Sequence, residues 1–221
     1  MNSFSYNFIK FSIESGALCF GKFLTKAGKH SPYFFNTGLF NCGKKIKNLS
    51  EFYSETIINT KIDFDMIFGP AYKGITLTTA IAISLSNKEK NIPFSFNRKE
   101  IKNHGEKGLI VGSKLSGNVI IVDDVISSGS SIIDSIEIIK SSGAKPIAVV
   151  VALDRMEKSP TKLLEKNLSS SLEIKAIYKI PIISIITLND LIEYLSLPNN
   201  NEEQIKHLKE ISEFKEKFCV E

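Results

Sequence analysis

The stretch VIIVDDVISSGSSI, residues 119 to 132, restricts the folds open to this chain more than any other segment. Its first half is a run of Val and Ile, the composition of a strand covered on both faces, as in a parallel sheet. Two adjacent carboxylates follow, Asp123 and Asp124, and then the small residues Ser127, Ser128, Gly129, Ser130 and Ser131 lead into a helical pattern. A buried carboxylate is unfavourable unless something pairs with it, so the acids are expected where strand 119–122 runs out, at the mouth of a sheet. There a carboxylate, which only accepts hydrogen bonds, matches the two donor hydroxyls of a cis-diol such as ribose. A small-residue loop opening a helix offers backbone N–H groups and the positive end of the helix dipole to a phosphate. Diol acceptor and phosphate cradle so close together suit a sugar 5-phosphate. The plainer alternative is a strand followed by a serine cap, with the acids as a solvated turn.

Strand and helix alternate through the rest of the chain. Phe4, Phe8, Ile9, Phe11 and Ile13 share neighbouring helical turns within 4–15, and Gly16 ends that helix. Short apolar runs around AGKHSP predict a hairpin within 20–36. Further helices are expected near 44–60, 73–86, 130–142 and 160–168, and strands at 65–69, 92–97, 119–122, 147–153 and 182–186. A last amphipathic helix carries Ile205, Leu208, Ile211, Phe214 and Phe218. This order predicts an α/β fold with a mostly parallel central sheet, helices on both faces and an N-terminal helix-and-hairpin hood. Ligands of such sheets sit beyond the carboxyl ends of the strands, where the strand order switches direction. One domain over 1–221 is expected, with residues 1–40 as the hood.

The totals exclude several classes. Apolar runs are short and interrupted, against the roughly eighteen residues a membrane span needs. The N-terminus lacks the basic start and cleavage site of a secretion signal, so a cytoplasmic protein is expected. Three scattered cysteines suit neither a disulfide frame nor a zinc site. A net charge of +4, with Lys spread among Glu and Asp, gives no dense basic face for nucleic acid.

The segment VIIVDDVISSGSS resembles the phosphoribosyl pyrophosphate motif of type I phosphoribosyltransferases. KAGKHSPYFFNTGLFN at 26–41, FGPAYKGI at 68–75, FNRKEIKNHGEKGLIVG at 96–112 and ALDRMEK at 152–158 extend the likeness to the orotate phosphoribosyltransferase family. That resemblance implies a Rossmann-like fold, transfer of ribose 5-phosphate from phosphoribosyl pyrophosphate to orotate, and Mg²⁺ held through the substrate, with Asp123 or Asp124 acting through water. It implies a homodimer whose basic segment, within a flexible loop at 98–112, reaches the neighbouring subunit's site with Lys99, Lys102 and His104, while Arg98 acts on the same pyrophosphate. Lys26, Tyr72, Lys73 and residues Asp123, Asp124, Val125, Ile126, Ser127, Ser128, Gly129, Ser130 and Ser131 would hold the phosphoribosyl donor. Phe34 and Phe35 would give orotate an aromatic platform and backbone amides, Arg155 would pair with its carboxylate, and Ser127 would touch it. Relatives commonly carry Thr at the positions of Ser127 and Ser130, and Ala at those of Ser128 and Ser131. Serine keeps the hydroxyl without the restraining methyl of Thr.

GALCFGKF at 16–23 nearly spells a nucleotide-binding loop, but it follows a helix and ends in Phe23 where a hydroxyl belongs. Competing readings are a purine transferase of the same type and a non-catalytic sensor of the sugar phosphate. SPYFFN with Arg155 favours an anionic pyrimidine over a purine. A sensor would have no leaving group for the basic segment to neutralise.

Overall fold

The computed structural model describes residues 1–25, 28–102, 108–160, 164, 167–198 and 202–220, without the side chains of 101 and 102. Helix α1 (Ser3–Glu14) opens with the Asn2 side chain accepting the Ser5 N–H at 2.8 Å and buries Phe8 and Ile9. Strands β1 (Leu18–Leu24) and β2 (His30–Phe35) form an antiparallel hairpin separate from the main sheet. Helix α2 (Gly43–Asn59), strand β3 (Met66–Gly69), helix α3 (Lys73–Ser86), and strands β4 (Phe94–Lys102) and β5 (Gly108–Gly112) follow. The second half comprises β6 (Asn118–Ile126), α4 (Ser130–Ser141), β7 (Lys145–Asp154), α5 (Ser170–Tyr178), β8 (Ile182–Thr187), α6 (Leu188–Leu195) and α7 (Glu202–Phe218).

The sheet order is β5-β4-β3-β6-β7-β8, parallel everywhere except the β4/β5 pair. From β3 the chain moves outward to β4, and from β6 it moves the opposite way to β7 and β8. The switch point therefore lies between β3 and β6, and their carboxyl ends define the crevice where a ligand belongs. Alternate residues of the central strands fill two cores. Ile120, Val122, Val150 and Ala152 join the aromatic side shared with Phe8, Tyr53 and Ile81, whereas Ile121, Val149 and Val151 join Ile136 and Ile174 on the other. That period of two, apolar on both faces, is the physical content of the Val/Ile run.

Three expectations need correction. Strand β6 continues through the acids to Ile126, because β7 runs alongside it as far as Asp154 and supplies backbone partners for Asp123, Val125 and Ile126. Residues 98–102 and 108–112 are strands rather than loop, forming the antiparallel edge ribbon β4/β5; residues 103–107, including His104, lie outside the described residues. The polar helix expected at 160–168 is not found in its described part. Ser159 N–H donates to Leu168 O at 2.9 Å, closing a loop, and the helix starts afterwards at Ser170, capped by Ser169. Residues 161–163, 165 and 166 lie outside the description.

Candidate active site

Strand β3 ends in Gly69 because nothing larger fits. A Cβ there would lie 1.9 Å from Thr78 Oγ1 and 2.4 Å from the Gly74 carbonyl oxygen. The first turn of α3 is thereby pressed onto the strand end, and the intervening Pro70-Ala71-Tyr72 turn carries Lys73 into the crevice. Asn97 on β4 holds that turn, its Oδ1 accepting the Ala71 N–H at 2.8 Å. Lys73 Nζ donates to Asp124 Oδ2 at 2.7 Å, and Thr37, just after β2, donates its hydroxyl to the same oxygen at 3.0 Å. The other oxygen of Asp124 accepts the Val125 N–H at 2.8 Å. Cation, hood and strand end thus meet on one carboxylate.

Asp123 has a different environment. Its side chain points into the fold and the residue is only 6% exposed, so the expectation that a strand-end position relieves its burial is overturned. Internal donors take that part: Oδ1 accepts the Asp124 N–H at 2.8 Å and Oδ2 accepts the Ser131 hydroxyl at 2.6 Å. Burial, followed by the charge of Asp124, pushes the Asp123 carboxyl up to about 6, against the opposing effects of Ser131, the Asp124 amide and Lys73. The buried Tyr53 phenol donates to the Asp123 carbonyl at 2.7 Å, and burial holds that phenol well above its ordinary range.

The serine loop turns at Gly129, whose φ of +76° is favoured by glycine and where a Cβ would meet Ile174 at 2.6 Å. Ser127, Ser128, Ser130 and Ser131 are exposed, and α4 starts at Ser130 with its first amides lacking acceptors within the helix. The Ile126 side chain lies in one core and Val125 is partly buried against the other, so it is their backbone that they offer a ligand. A cavity of about 120 Å³ opens between Pro70, Ala71, Asn97, Lys99, Ser130 and Ser131. Tyr72 is exposed, with Lys99 Nζ 5.9 Å from its ring centroid, and Arg98 Nη1 donates to Gly108 O at 3.3 Å across the edge ribbon. Lys26 lies outside the described residues, as does the side chain of Lys102, whose backbone ends β4.

On the hood side, Phe34 and Phe35 separate. Phe34 is 46% exposed and stacks on Phe23 with centroids 5.4 Å apart, whereas Phe35 is buried beside Phe8 and Phe40. Neighbouring residues of a strand face opposite ways, so the Phe35 ring is core and Phe34 alone can offer a face. Arg155 follows β7, and its N–H donates to Ile126 O at 3.2 Å, which sets it beside the serine loop. Its guanidinium is buried rather than a surface group: Nε donates to Glu157 Oε1 at 2.5 Å, Nη2 to Ser31 Oγ at 3.0 Å, and the ring of Tyr33 lies 4.4 Å away. Thr37 and Ser31 were not singled out from sequence. A lone hydroxyl in a turn or strand carries no pattern of its own.

A mostly parallel sheet with paired acids, a serine-rich helix start and a lysine turn converging at its switch point defines a phosphoribosyltransferase, and the phosphoribosyl transferase domain family matches residues 40–179. Proteins named orotate phosphoribosyltransferase from Janthinobacterium sp. (strain Marseille) and Herminiimonas arsenicoxydans are 50% and 49% identical to this chain, each alignment covering 100% of both chains. The crystal structure of orotate phosphoribosyltransferase from Francisella tularensis superposes with a TM-score of 0.83 at 32% identity, over 97% of this chain and 100% of that one. The chain belongs to the orotate phosphoribosyltransferase family.

Proposed function

We propose that this chain, acting as one domain over residues 1–221 with 1–40 as its hood, transfers ribose 5-phosphate from phosphoribosyl pyrophosphate to orotate. The C1–O bond to diphosphate breaks, a bond from the orotate ring nitrogen to C1 forms, and that nitrogen loses its proton. By analogy with glycoside cleavage the ribose ring passes through an oxocarbenium-like transition state. The observation that carries the reading is the meeting of Lys73, Thr37 and Asp124 beside the serine-rich start of α4.

Each group has a task. The amides and hydroxyls of 127–131 hold the 5-phosphate, and Asp124, with Asp123 behind it, takes the ribose hydroxyls and favours a ring that becomes positive. Lys73, Tyr72 and Arg98 serve the departing diphosphate, a task assigned also to Lys26 and, lent by the neighbouring subunit, to Lys99, Lys102 and His104. The Phe34 face and Arg155 receive the base and its carboxylate, with Ser127 close by. Among the described residues no three His, Cys, Asp or Glu side chains gather as a metal cage; Asp123 or Asp124 would hold Mg²⁺ through water, the hard oxygens it prefers coming otherwise from the substrate. When bound, Mg²⁺ supplies positive charge to the departing diphosphate. The enzyme is read as a cytoplasmic homodimer that lends Lys99, Lys102 and His104 across its interface; no described helix is long and apolar enough to cross a membrane.

The direct test is orotate consumption with phosphoribosyl pyrophosphate and Mg²⁺, with and without a chelator. No consumption would overturn the reading, and consumption undiminished by chelation would remove the metal from it. The shared site has its own test. Lys102→Ala and Asp124→Asn, each inactive alone, should recover about a quarter of parental activity after mixing and subunit exchange, because half the dimers are then mixed and each keeps one intact site. Exchange demonstrated by differently tagged chains without recovered activity would show that each site is built from one chain.

A further inference from the structure

Arg155 is held on several sides by residues that the reaction itself does not require. The side chains of Arg155 and Glu157 are only 8% and 13% exposed, so their ion pair is shielded from water. Ser31 donates its own hydroxyl hydrogen to the Tyr33 carbonyl at 2.7 Å, which leaves the oxygen free to accept from Arg155. The Tyr33 ring covers the guanidinium, and Phe214 of α7 stands 6.0 Å from it. The Glu157 backbone is itself fastened. It bridges to Cys219, while Lys158 N–H donates to Phe218 O at 2.9 Å and Val220 N–H to Met156 O at 3.1 Å.

An arginine carries five N–H donors in a rigid planar fork. Glu157 takes the one on Nε and Ser31 takes one on Nη2. Among the described residues Nη1 has no acceptor and Nη2 has Ser31 alone, so a donor remains on each of the two terminal nitrogens. These adjacent donors form the end of the fork, which meets a carboxylate through two parallel hydrogen bonds.

We infer that Glu157 and Ser31 are positioning residues that occupy the inner donors of Arg155, so that its Nη1–Nη2 end is the edge offered to the carboxylate of the incoming base. The inference rests on the reading that Arg155 binds that carboxylate. It adds a basis for selection: the Arg155–Glu157 pair is neutral as a unit, so an anion is held for its planar, two-oxygen shape and position rather than for charge alone. Glu157 acts through Arg155 and touches no reacting atom.

Steady-state kinetics of Arg155→Ala, Glu157→Ala, Glu157→Gln and Ser31→Ala test it, each substrate varied at saturation of the other. Loss of a charge-assisted, oriented contact corresponds to about tenfold or more. Arg155→Ala and Glu157→Ala should therefore each raise the orotate KM by that factor, with the phosphoribosyl pyrophosphate KM unmoved. Ser31→Ala should raise the orotate KM less. In Glu157→Gln the amide oxygen still accepts from Nε, and most of the effect should vanish. If Glu157→Ala and Ser31→Ala keep the parental orotate KM while Arg155→Ala raises it, the positioning role is wrong and the carboxylate assignment stands. A rise in both KM values together would mark Glu157 as a general support of the fold and equally overturn the inference. An unchanged orotate KM in Arg155→Ala would overturn the assignment itself. Should Glu157→Ala not fold, Ser31→Ala decides by the same criterion.

Discussion

Asp123→Asn should give a protein harder to unfold than its parent and nearly inert as a transferase. The carboxyl of Asp123 is raised from 3.8 to about 6, first by burial and then by Asp124, so the folded chain holds this proton more tightly than the unfolded chain does. Stability from this group is present at low pH and falls as pH rises from about 4 through about 6, a loss of about 3 kcal/mol for a shift of roughly two units. Asparagine has no such titration. Its amide oxygen can accept the Asp124 N–H and its NH₂ can donate to Ser131 Oγ, leaving neither partner orphaned. The melting temperature of the variant should match the parent near pH 4 and exceed it by roughly 5–10 °C above pH 7. Turnover should drop by about a hundredfold or more, as when a preorganised charge is removed from a developing one. Thermal melts from pH 4 to 8 beside rate measurements check both halves. Equal melting at pH 7.5 would show that the burial of this acid does not oppose folding.

Gly69→Ala should damage the molecule more broadly. The added methyl would lie within 1.9 Å of Thr78 Oγ1 and 2.4 Å of a backbone oxygen, and backbone cannot rotate aside as a side-chain tip can. Either β3 or the start of α3 must shift, at about 3 kcal/mol or more, the upper range for overfilling a well-packed interior. Because Lys73 is the first residue of α3, the same shift moves its ammonium off Asp124. The expected result is a melting temperature lower by roughly 5–10 °C together with a raised KM for phosphoribosyl pyrophosphate. Gly43→Ala on α2, where nothing lies within 4 Å of the new methyl, serves as the control. Parental stability in the Gly69 variant would mean that strand and helix are not pressed together as described.

Much of this arrangement is written in short patterns. The Val/Ile run announces a strand with two apolar faces, and the serines after it announce a helix start. What the pattern hides is how far a strand continues. Asp123 and Asp124 read as an end because acids are rare inside sheets, yet β7 offers partners beyond them and Ser131 supplies the missing donor. The edge ribbon was hidden for a related reason: NRKEIK is charged and reads as a solvated loop, yet beyond Phe96 it pairs with β5 alone and needs no second apolar neighbour. Two further signals were present but not used. Alternation along β2 sends Phe34 and Phe35 to opposite faces, so both rings could not form one platform. Thr187-Leu188-Asn189-Asp190 is a capping box, with the Thr187 and Asp190 side chains answering each other's backbone N–H groups, and it opens the unexpected α6. Thr37, Ser31 and the fastening of Glu157 to Cys219 depend on contacts between residues far apart in the chain, which no local pattern records.

The hydrogen bond between Lys73 and Asp124 gives each of them a companion while no substrate is present. Under the proposed function, donor binding becomes an exchange, in which the ammonium turns to phosphate oxygens and the carboxylate to sugar hydroxyls. On the same reading the two can close on each other again when product departs, so the largely buried Asp124 carboxylate regains a partner from the protein's own side chains between turnovers.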